Sequence, residues 1–316
     1  MDILSAQDIN KLITMEEVIR AIENYYLNEE ANDETSPDRM HVDDDDNTAL
    51  LMPAFYGDYY SVKLVGVAPH NTEAGKPTIH GTMLLHDRKT MEPIMVCDAM
   101  PITALRTGAL GGLGMKYISS PDASSIGIIG TGTQGWSHLQ SACAVRPIKT
   151  VYVYNRSQKK MADFIARAEK EFPELTVKES KVEDLVQYSD IIITTTTSPR
   201  PVLPDVDPSV WKGKQVIAVG SFKPNMQELP DSLFKQVDAF YVDGYSAFNE
   251  SGDMIRAGKF GANENDAMSL EEIISKQHTP ENIAEKTLVF KSVGMSIFDL
   301  VATKAIYEKI KQQKGD

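Results

Sequence analysis

Ser125-Ile126-Gly127-Ile128-Ile129-Gly130-Thr131-Gly132-Thr133-Gln134-Gly135 is the stretch on which the fold turns. A short apolar run leads straight into Gly-x-Gly-x-x-Gly, and Trp136, Leu139 and Ala142 then recur at helical spacing. Each glycine has a separate task in such a loop. Gly130 permits the tight turn, Gly132 lets a pyrophosphate approach the backbone, and Gly135 lets helix and strand pack closely. The free N–H groups of the helix N-terminus, at Thr133 and Gln134, then face the phosphates. Alone the motif is weak. Here a strand precedes it, a helix follows it and a second strand, Thr150 to Tyr154, comes at the expected distance, so a dinucleotide site is expected.

That second strand ends in Asn155-Arg156-Ser157, twenty residues beyond Gly135. An NAD-selective site carries a carboxylate there for the ribose 2′-hydroxyl. Asparagine beside arginine and serine suits a 2′-phosphate, which a guanidinium pairs in bidentate fashion. NADP(H) is the preferred cofactor on this reading and NAD(H) a possible one. The competing reading makes Asn155 a helix cap and Arg156 an exposed charge.

C-terminal to the loop, apolar runs at 126–129, 151–154, 191–193, 216–219 and 239–242 alternate with helical stretches such as 157–172. That is βαβ order, a doubly wound parallel sheet of the Rossmann type. N-terminal to it the texture differs. Residues 1–13 read as polar and helix-like with Ser5 as cap, and 14–30 as an amphipathic helix carrying Val18, Ile19, Ile22, Tyr25 and Tyr26. Two β-rich runs within 49–66 flank Gly57-Asp58, and runs at 82–86 and 93–97 flank a polar turn, as in an antiparallel sheet. Residues 101–118 read as a helix despite Gly108, Gly111, Gly112 and Gly114, which suggests close packing against another backbone. Residues 295–311 form a last amphipathic helix. At 316 residues the chain exceeds the size at which single cores stop growing, about 250–300, so two domains are expected.

Composition limits the function classes. With 32 basic against 45 acidic residues the net charge is −13, a field that repels phosphate backbones, and no basic patch offsets it, so no nucleic-acid partner is expected. No apolar segment approaches the roughly 20 residues that span a bilayer. Cys97 and Cys143 alone suit a reducing compartment, and a cytoplasmic protein is expected. Asp43 to Asp46 lack calcium-loop spacing, and the six histidines show no ligand spacing, so no metal is expected. No Gly-x-Ser-x-Gly elbow is present, and Glu250 to Asp253 read as a turn and helix start. Arg39, Lys63 and Arg106 stand out in the N-terminal third. By pattern alone each reads as a surface charge, with Lys63 turned away from the face that Val62 and Leu64 share.

Several segments together carry a more specific signal. They are Lys63-Leu64-Val65, Pro69-His70-Asn71, Pro77-Thr78 with Gly81, Thr103 to Thr107, Gly130 to Gln134, Gly220-Ser221 with Pro224, Glu228-Leu229, Glu250 to Asp253 and Phe290 to Gly294. In them the chain resembles the ornithine cyclodeaminase/μ-crystallin family over nearly its whole length. The resemblance implies a homodimer whose protomer has a discontinuous α+β substrate and dimerisation domain, 1–118 plus 296–316, around a Rossmann domain, 119–295, with the substrate-domain sheets meeting at the dimer interface. It implies that Arg39, Lys63 and Arg106 hold a substrate carboxylate, with Lys63 the catalytic residue. Thr78, Arg106, Thr107, Thr133, Gln134, Asn155, Thr196 and Val219 would line the cofactor. The implied activity is NAD(P)H-dependent reduction of a small cyclic imino acid, Δ1-pyrroline-2-carboxylate to proline being the type case. Ornithine cyclodeamination, alanine dehydrogenation and nucleotide retention without turnover are the alternatives within the family. The cyclodeaminases carry an aspartate two residues before the proline of Gly220-Ser221-Phe222-Lys223-Pro224. Phe222 stands there instead, and a phenyl ring neither accepts a proton nor pairs with an ammonium. Reduction of an already cyclic imine is favoured.

Overall fold

The computed structural model describes residues 1–27 and 34–315. The chain divides into two compact units, Met1–Arg106 with Met295–Asp316, and Thr107–Gly294.

The first unit opens with β1 (Asp2–Leu4), a strand that the helix-like reading of residues 1–13 did not foresee, then α1 (Ala6–Leu12). Ser5 caps α1 in a capping box with Asp8, each side chain meeting the other's backbone N–H. Helix α2 (Met15–Leu27) buries Val18, Ile19, Ile22, Tyr25 and Tyr26, as its spacing predicts; residues 28–30 of the expected helix lie outside the described residues. Five strands follow: β2 (Met40–Asp44), β3 (Asn47–Tyr56), β4 (Tyr59–Val67), β5 (Ile79–Asp87) and β6 (Pro93–Asp98). Gly57, at φ 55°, supplies the left-handed turn residue between β3 and β4. The sheet order is β1-β6-β5-β4-β3-β2, antiparallel except where β1 lies parallel to β6. Helix α3 (Ala99–Ile118) follows β6.

The second unit is a parallel eight-stranded sheet. In chain order it comprises β7 (Ser125–Ile129), α4 (Thr133–Val145), β8 (Thr150–Tyr154), α5 (Gln158–Glu171), β9 (Thr176–Glu179), α6 (Val182–Tyr188), β10 (Ile191–Thr194) and β11 (Gln215–Ala218). Then come α7 (Asp231–Phe234), β12 (Ala239–Val242), α8 (Ala247–Glu250), α9 (Gly252–Gly258), β13 (Met268–Ser269), α10 (Leu270–Ser275) and β14 (Leu288–Lys291). The order β13-β12-β14-β11-β10-β7-β8-β9 reverses direction at β7, between β8 and β10. That is the switch point at whose carboxyl edge doubly wound sheets bind ligands. β9, β13 and β14 were not anticipated. The first is polar and lies at the sheet edge, the second has two residues, and the third ends on a lysine.

The glycines of α3 explain why most of this helix groups with the second unit, although residues 1–118 were expected in the first. A Cβ on Gly111 would lie 2.4 Å from the His138 ring and one on Gly114 would lie 2.6 Å from the Phe290 ring. At these two glycines the close packing expected of the helix is against aromatic side chains and not another backbone. Helix α11 (Ser296–Lys314) closes the chain and packs in the first unit on α2, β3 and β4. Among the described residues no helix is long and apolar enough to cross a membrane.

Candidate active site

The loop after β7 has the shape that a pyrophosphate requires. Gly130 sits at φ 103°, where L side chains are strained. A Cβ on Gly135 would fall 2.0 Å from the Gly130 carbonyl oxygen, a backbone atom that cannot yield. Gly132 faces the opposite situation: nothing lies within 4 Å of where its Cβ would be. It is also the N-cap of α4 and offers no side chain to the first amides of that helix. Their partial positive charge is left for an anion. The Thr131 hydroxyl, buried and without a hydrogen-bond partner among the described residues, is a donor that a phosphate oxygen would satisfy. Thr133 is exposed and Gln134 half-buried at the start of α4, and the Gln134 carbonyl accepts from His138 Nδ1 at 2.7 Å. These residues fit a dinucleotide.

At the end of β8, Asn155 Nδ2 donates to the Ser157 carbonyl at 3.2 Å, and Ser157, not Asn155, caps α5. Arg156 is exposed.

Beyond the carboxyl ends of β10 and β11, one buried carboxylate organises the backbone. Glu228 Oε1 accepts from Thr196 N at 2.6 Å and Thr196 Oγ1 at 2.8 Å. Its Oε2 accepts from Gly220 N at 2.7 Å and Thr194 Oγ1 at 2.9 Å. Asp253 Oδ1 in turn accepts from the backbone N–H groups of Glu228 and Leu229, and its Oδ2 lies 3.4 Å from Lys291 Nζ. All three charged side chains are buried. Burial pushes the Glu228 carboxyl up, the Lys291 charge opposes this, and Asp253 adds to it. Thr196 and Val219, both expected at the cofactor, thus sit on segments that Glu228 ties together; Val219 N also donates to the Thr194 carbonyl at 2.9 Å. The motifs Glu228-Leu229, Glu250 to Asp253 and Phe290 to Gly294 are segments of this one network, a role the sequence did not disclose.

In the first unit the structure overturns the surface-charge reading of two cations. Lys63 is 2% exposed and Arg106 7% exposed. Lys63 shares the covered face of β4 with Ser61, while Leu64 on the other face is 39% exposed. Its cross-strand neighbours are Met52 on β3 and Met83 on β5, both buried, so the ammonium stands among poorly solvating groups. The side chain that makes this tolerable is one the sequence reading missed: Asp299, in the first turn of α11 and wholly buried. Lys63 Nζ donates to Asp299 Oδ2 at 2.5 Å, and Arg106 Nε donates to Oδ1 at 3.1 Å. Among the described residues the two terminal nitrogens of Arg106 take no protein acceptor. They form an unused fork suited to a carboxylate.

Burial is the main cause that brings the Lys63 ammonium down to about 8. Asp299 holds it up against the further lowering by the Arg106 and Arg39 charges. Arg39, half-buried, is therefore close enough to act on Lys63 electrostatically. Burial alone would raise the Asp299 carboxyl, but Arg106 and Lys63 outweigh it and the net shift is down. Two cations on one carboxylate with a third acting on the lysine, whose proton is loosened towards neutrality, can bind an organic anion and donate a proton to it.

Thr78 is half-buried in the first unit, as Arg106 is buried there, whereas Thr107 and the remaining expected cofactor residues belong to the second. Asp43 and Asp44 end β2, Asp45 and Asp46 make its exposed turn to β3, and His70, from the segment after β4, bonds to Asp46 and Glu73. Among the described residues no group of three or more His, Cys, Asp or Glu side chains could hold a metal ion.

The model of the ornithine cyclodeaminase/mu-crystallin family matches residues 1–314. The Δ1-pyrroline-2-carboxylate reductase of Bacillus cereus is 35% identical over 318 residues, covering 98% of this chain and 96% of the relative. Among solved structures, the Δ1-pyrroline-2-carboxylate reductase of Thermococcus litoralis in complex with NADH and L-proline superposes with a TM-score of 0.89 at 32% identity, covering 100% of this chain and 98% of that one. An archaeal alanine dehydrogenase dimer with bound NAD superposes with the same TM-score of 0.89 at 27% identity, covering 100% and 97%.

Proposed function

The chain belongs to the ornithine cyclodeaminase/mu-crystallin family, and from that premise we propose that it reduces a small cyclic imino acid of the Δ1-pyrroline-2-carboxylate type to the amino acid. The observation that carries the reading is the buried Lys63–Asp299–Arg106 cluster, in which an acid of lowered pKa stands beside an unused guanidinium fork. When bound, the reduced nicotinamide supplies a hydride to the imine carbon. Arg106, through its terminal nitrogens, and Arg39 grip the carboxylate and fix the ring. Lys63 Nζ gives its proton to the imine nitrogen as the C=N π bond is lost, so hydride plus proton balance the reduction. The resulting amine on Lys63 is then reprotonated from water. Oriented binding of this kind is worth about 7–11 kcal/mol of barrier.

The turn Asn155-Arg156-Ser157 has no carboxylate and exposes a guanidinium, which supports NADP(H) as the preferred cofactor with NAD(H) accepted. A homodimer, with residues 1–118 and 296–316 as its substrate and dimerisation domain, is part of the same proposal; light scattering on the purified chain tests it. Ornithine cyclodeamination is the second reading. Phe222, half-buried with the Lys223 ammonium 6.0 Å from its ring, stands against it, since it offers no carboxylate to handle a released amine.

A spectrophotometric panel separates the readings. NADPH and NADH are offered with pyrroline-2-carboxylate, with piperideine-2-carboxylate and with pyruvate plus ammonia, and ornithine is assayed separately for ammonia release. Oxidation of the reduced cofactor with a cyclic imine is the expected result. Ammonia release from ornithine without net cofactor reduction would select cyclodeamination. Retained nucleotide with no turnover on any substrate would reduce the chain to a binding protein.

A further inference from the structure

Asp299 touches neither face of the reaction as drawn above, yet two of the three groups assigned to the substrate, Lys63 and Arg106, hang on it. It spends one oxygen on Lys63 Nζ and the other on Arg106 Nε, and it does so from a wholly buried position in the first turn of α11. A buried pair of this kind is poor evidence for stability, because well-packed apolar side chains of similar size are often neutral or better. Its presence calls for another use. We propose that Asp299 is the positioning residue of the imine reduction, keeping the Lys63 ammonium loaded and aimed while occupying Arg106 Nε so that the terminal fork is turned to the substrate carboxylate. The inference rests on the roles proposed for Lys63 and Arg106.

The charge arrangement supports it. The groups acting on Lys63 are Asp299 from α11, Arg106 from α3 and Arg39 from the segment before β2. Burial between Met52 and Met83 and both guanidinium charges drive the proton off; among the described residues Asp299 keeps it on. Without that carboxylate the lysine would give up its proton at lower pH, so less of it would stand loaded as the acid near neutrality. The hydroxyl of Thr303 donates to the Asp299 carbonyl oxygen at 2.6 Å, one helical turn on, which leaves the carboxylate itself undivided between its two cations.

Asp299→Asn tests the proposal, because the amide keeps the volume, loses the charge and can accept from only one of the two donors at a time. In the wild-type enzyme kcat/KM for imine reduction should fall on the alkaline side as Lys63 loses its proton near pH 8. In Asp299→Asn that limb should move about one pH unit towards acid, equivalent to about 1.4 kcal/mol, and KM for the imino acid should rise about tenfold. A second readout needs neither cofactor nor turnover. NMR of protein carrying 13C at the lysine ε position, with Lys63 assigned through Lys63→Met, should show the same acid shift of its titration. An alkaline limb and a Lys63 titration that stay where they are, while activity drops equally at every pH, would make Asp299 merely structural and overturn the inference. A Lys63→Met background provides the remaining check: there the alkaline limb should be gone and Asp299→Asn should raise KM through Arg106 alone, whereas a limb that persists in that background and still moves with Asp299→Asn would overturn the inference. Absence of imine reduction in the wild type, with the Lys63 titration shifting as stated, would sink the proposed function and not the coupling of the two residues.

Discussion

Glu228→Gln is the substitution whose consequence the geometry fixes most tightly. The native carboxylate accepts four hydrogen bonds, one backbone N–H and one threonine hydroxyl on each oxygen. A glutamine has the same shape but presents an oxygen on one side and an amino group on the other. Either threonine hydroxyl can rotate and accept from that amino group. A backbone N–H cannot, so whichever way the amide is placed, Thr196 N or Gly220 N faces a donor inside a buried site. A buried unsatisfied donor costs about 1–3 kcal/mol, and the bond it loses was charge-assisted. Relief of a buried carboxylate, which burial already pushes towards protonation, offsets part of this, while Lys291 loses a nearby negative charge. A net loss of about 2 kcal/mol is expected. The strained N–H belongs to the segment carrying Thr196 or the one following Val219, both proposed to line the cofactor, so the loss should surface as weaker dinucleotide binding. At about 1.4 kcal/mol per decade, Kd for the reduced cofactor should rise roughly tenfold to thirtyfold. Quenching of protein fluorescence on titration with NADPH or NADH measures it, with thermal unfolding monitored in parallel. Unchanged affinity together with an unchanged unfolding midpoint would refute the reasoning, because no arrangement of an amide satisfies all four donors.

The other expectations are simpler. Gly135→Ala places a Cβ 2.0 Å from the Gly130 carbonyl oxygen and should abolish dinucleotide binding by deforming the loop; retained cofactor affinity would contradict the assignment of that loop. Gly114→Ala drives a Cβ to 2.6 Å from the Phe290 ring and should destabilise the second unit by about 1–3 kcal/mol in denaturant titration, as overpacking does, with a neutral result showing that the ring can move away. With the Lys63 ammonium as the proposed acid, activity should be full below its value of about 8 and fall tenfold per pH unit above it; a profile that stays flat far above that value removes Lys63 as proton donor. Arg156→Ala should lower kcat/KM with NADPH about tenfold or more, the worth of a charge-assisted contact, and leave that with NADH within about twofold. Equal loss with both cofactors would mean that Arg156 does not read a 2′-phosphate.

What could be read in the chain beforehand divides along a physical line. The loop from Gly130 to Gly135 was legible because its constraints are local: a positive φ, an open approach and a Cβ collision with an atom five residues away are all conditions that a short window of sequence must satisfy. The same holds for the cap at Ser5, and for the buried stripe of α2. Lys63 was misplaced for the opposite reason. Alternation along β4 assigns the inner face to Val62 and Leu64, since burying a lone ammonium is costly, and that inference fails only where a partner repays the cost. The partner, Asp299, lies 236 residues further on. Seen locally it is an acid in the first turn of a long helix, a position that the helix dipole alone would explain, so nothing near it signals a role. Glu228, Asp253 and Lys291 repeat the case, each unremarkable in its own segment and meaningful only once the carboxyl ends of the sheet bring the three together. Backbone demands are therefore written into contiguous residues, while buried charge is written as a sum over distant ones. The cofactor loop could be found from one stretch of chain. For the proposed acid, the residues Lys63 and Arg106 could be named by resemblance, but the carboxylate that governs their charge and aim becomes visible only when α11 is laid across β3 and β4.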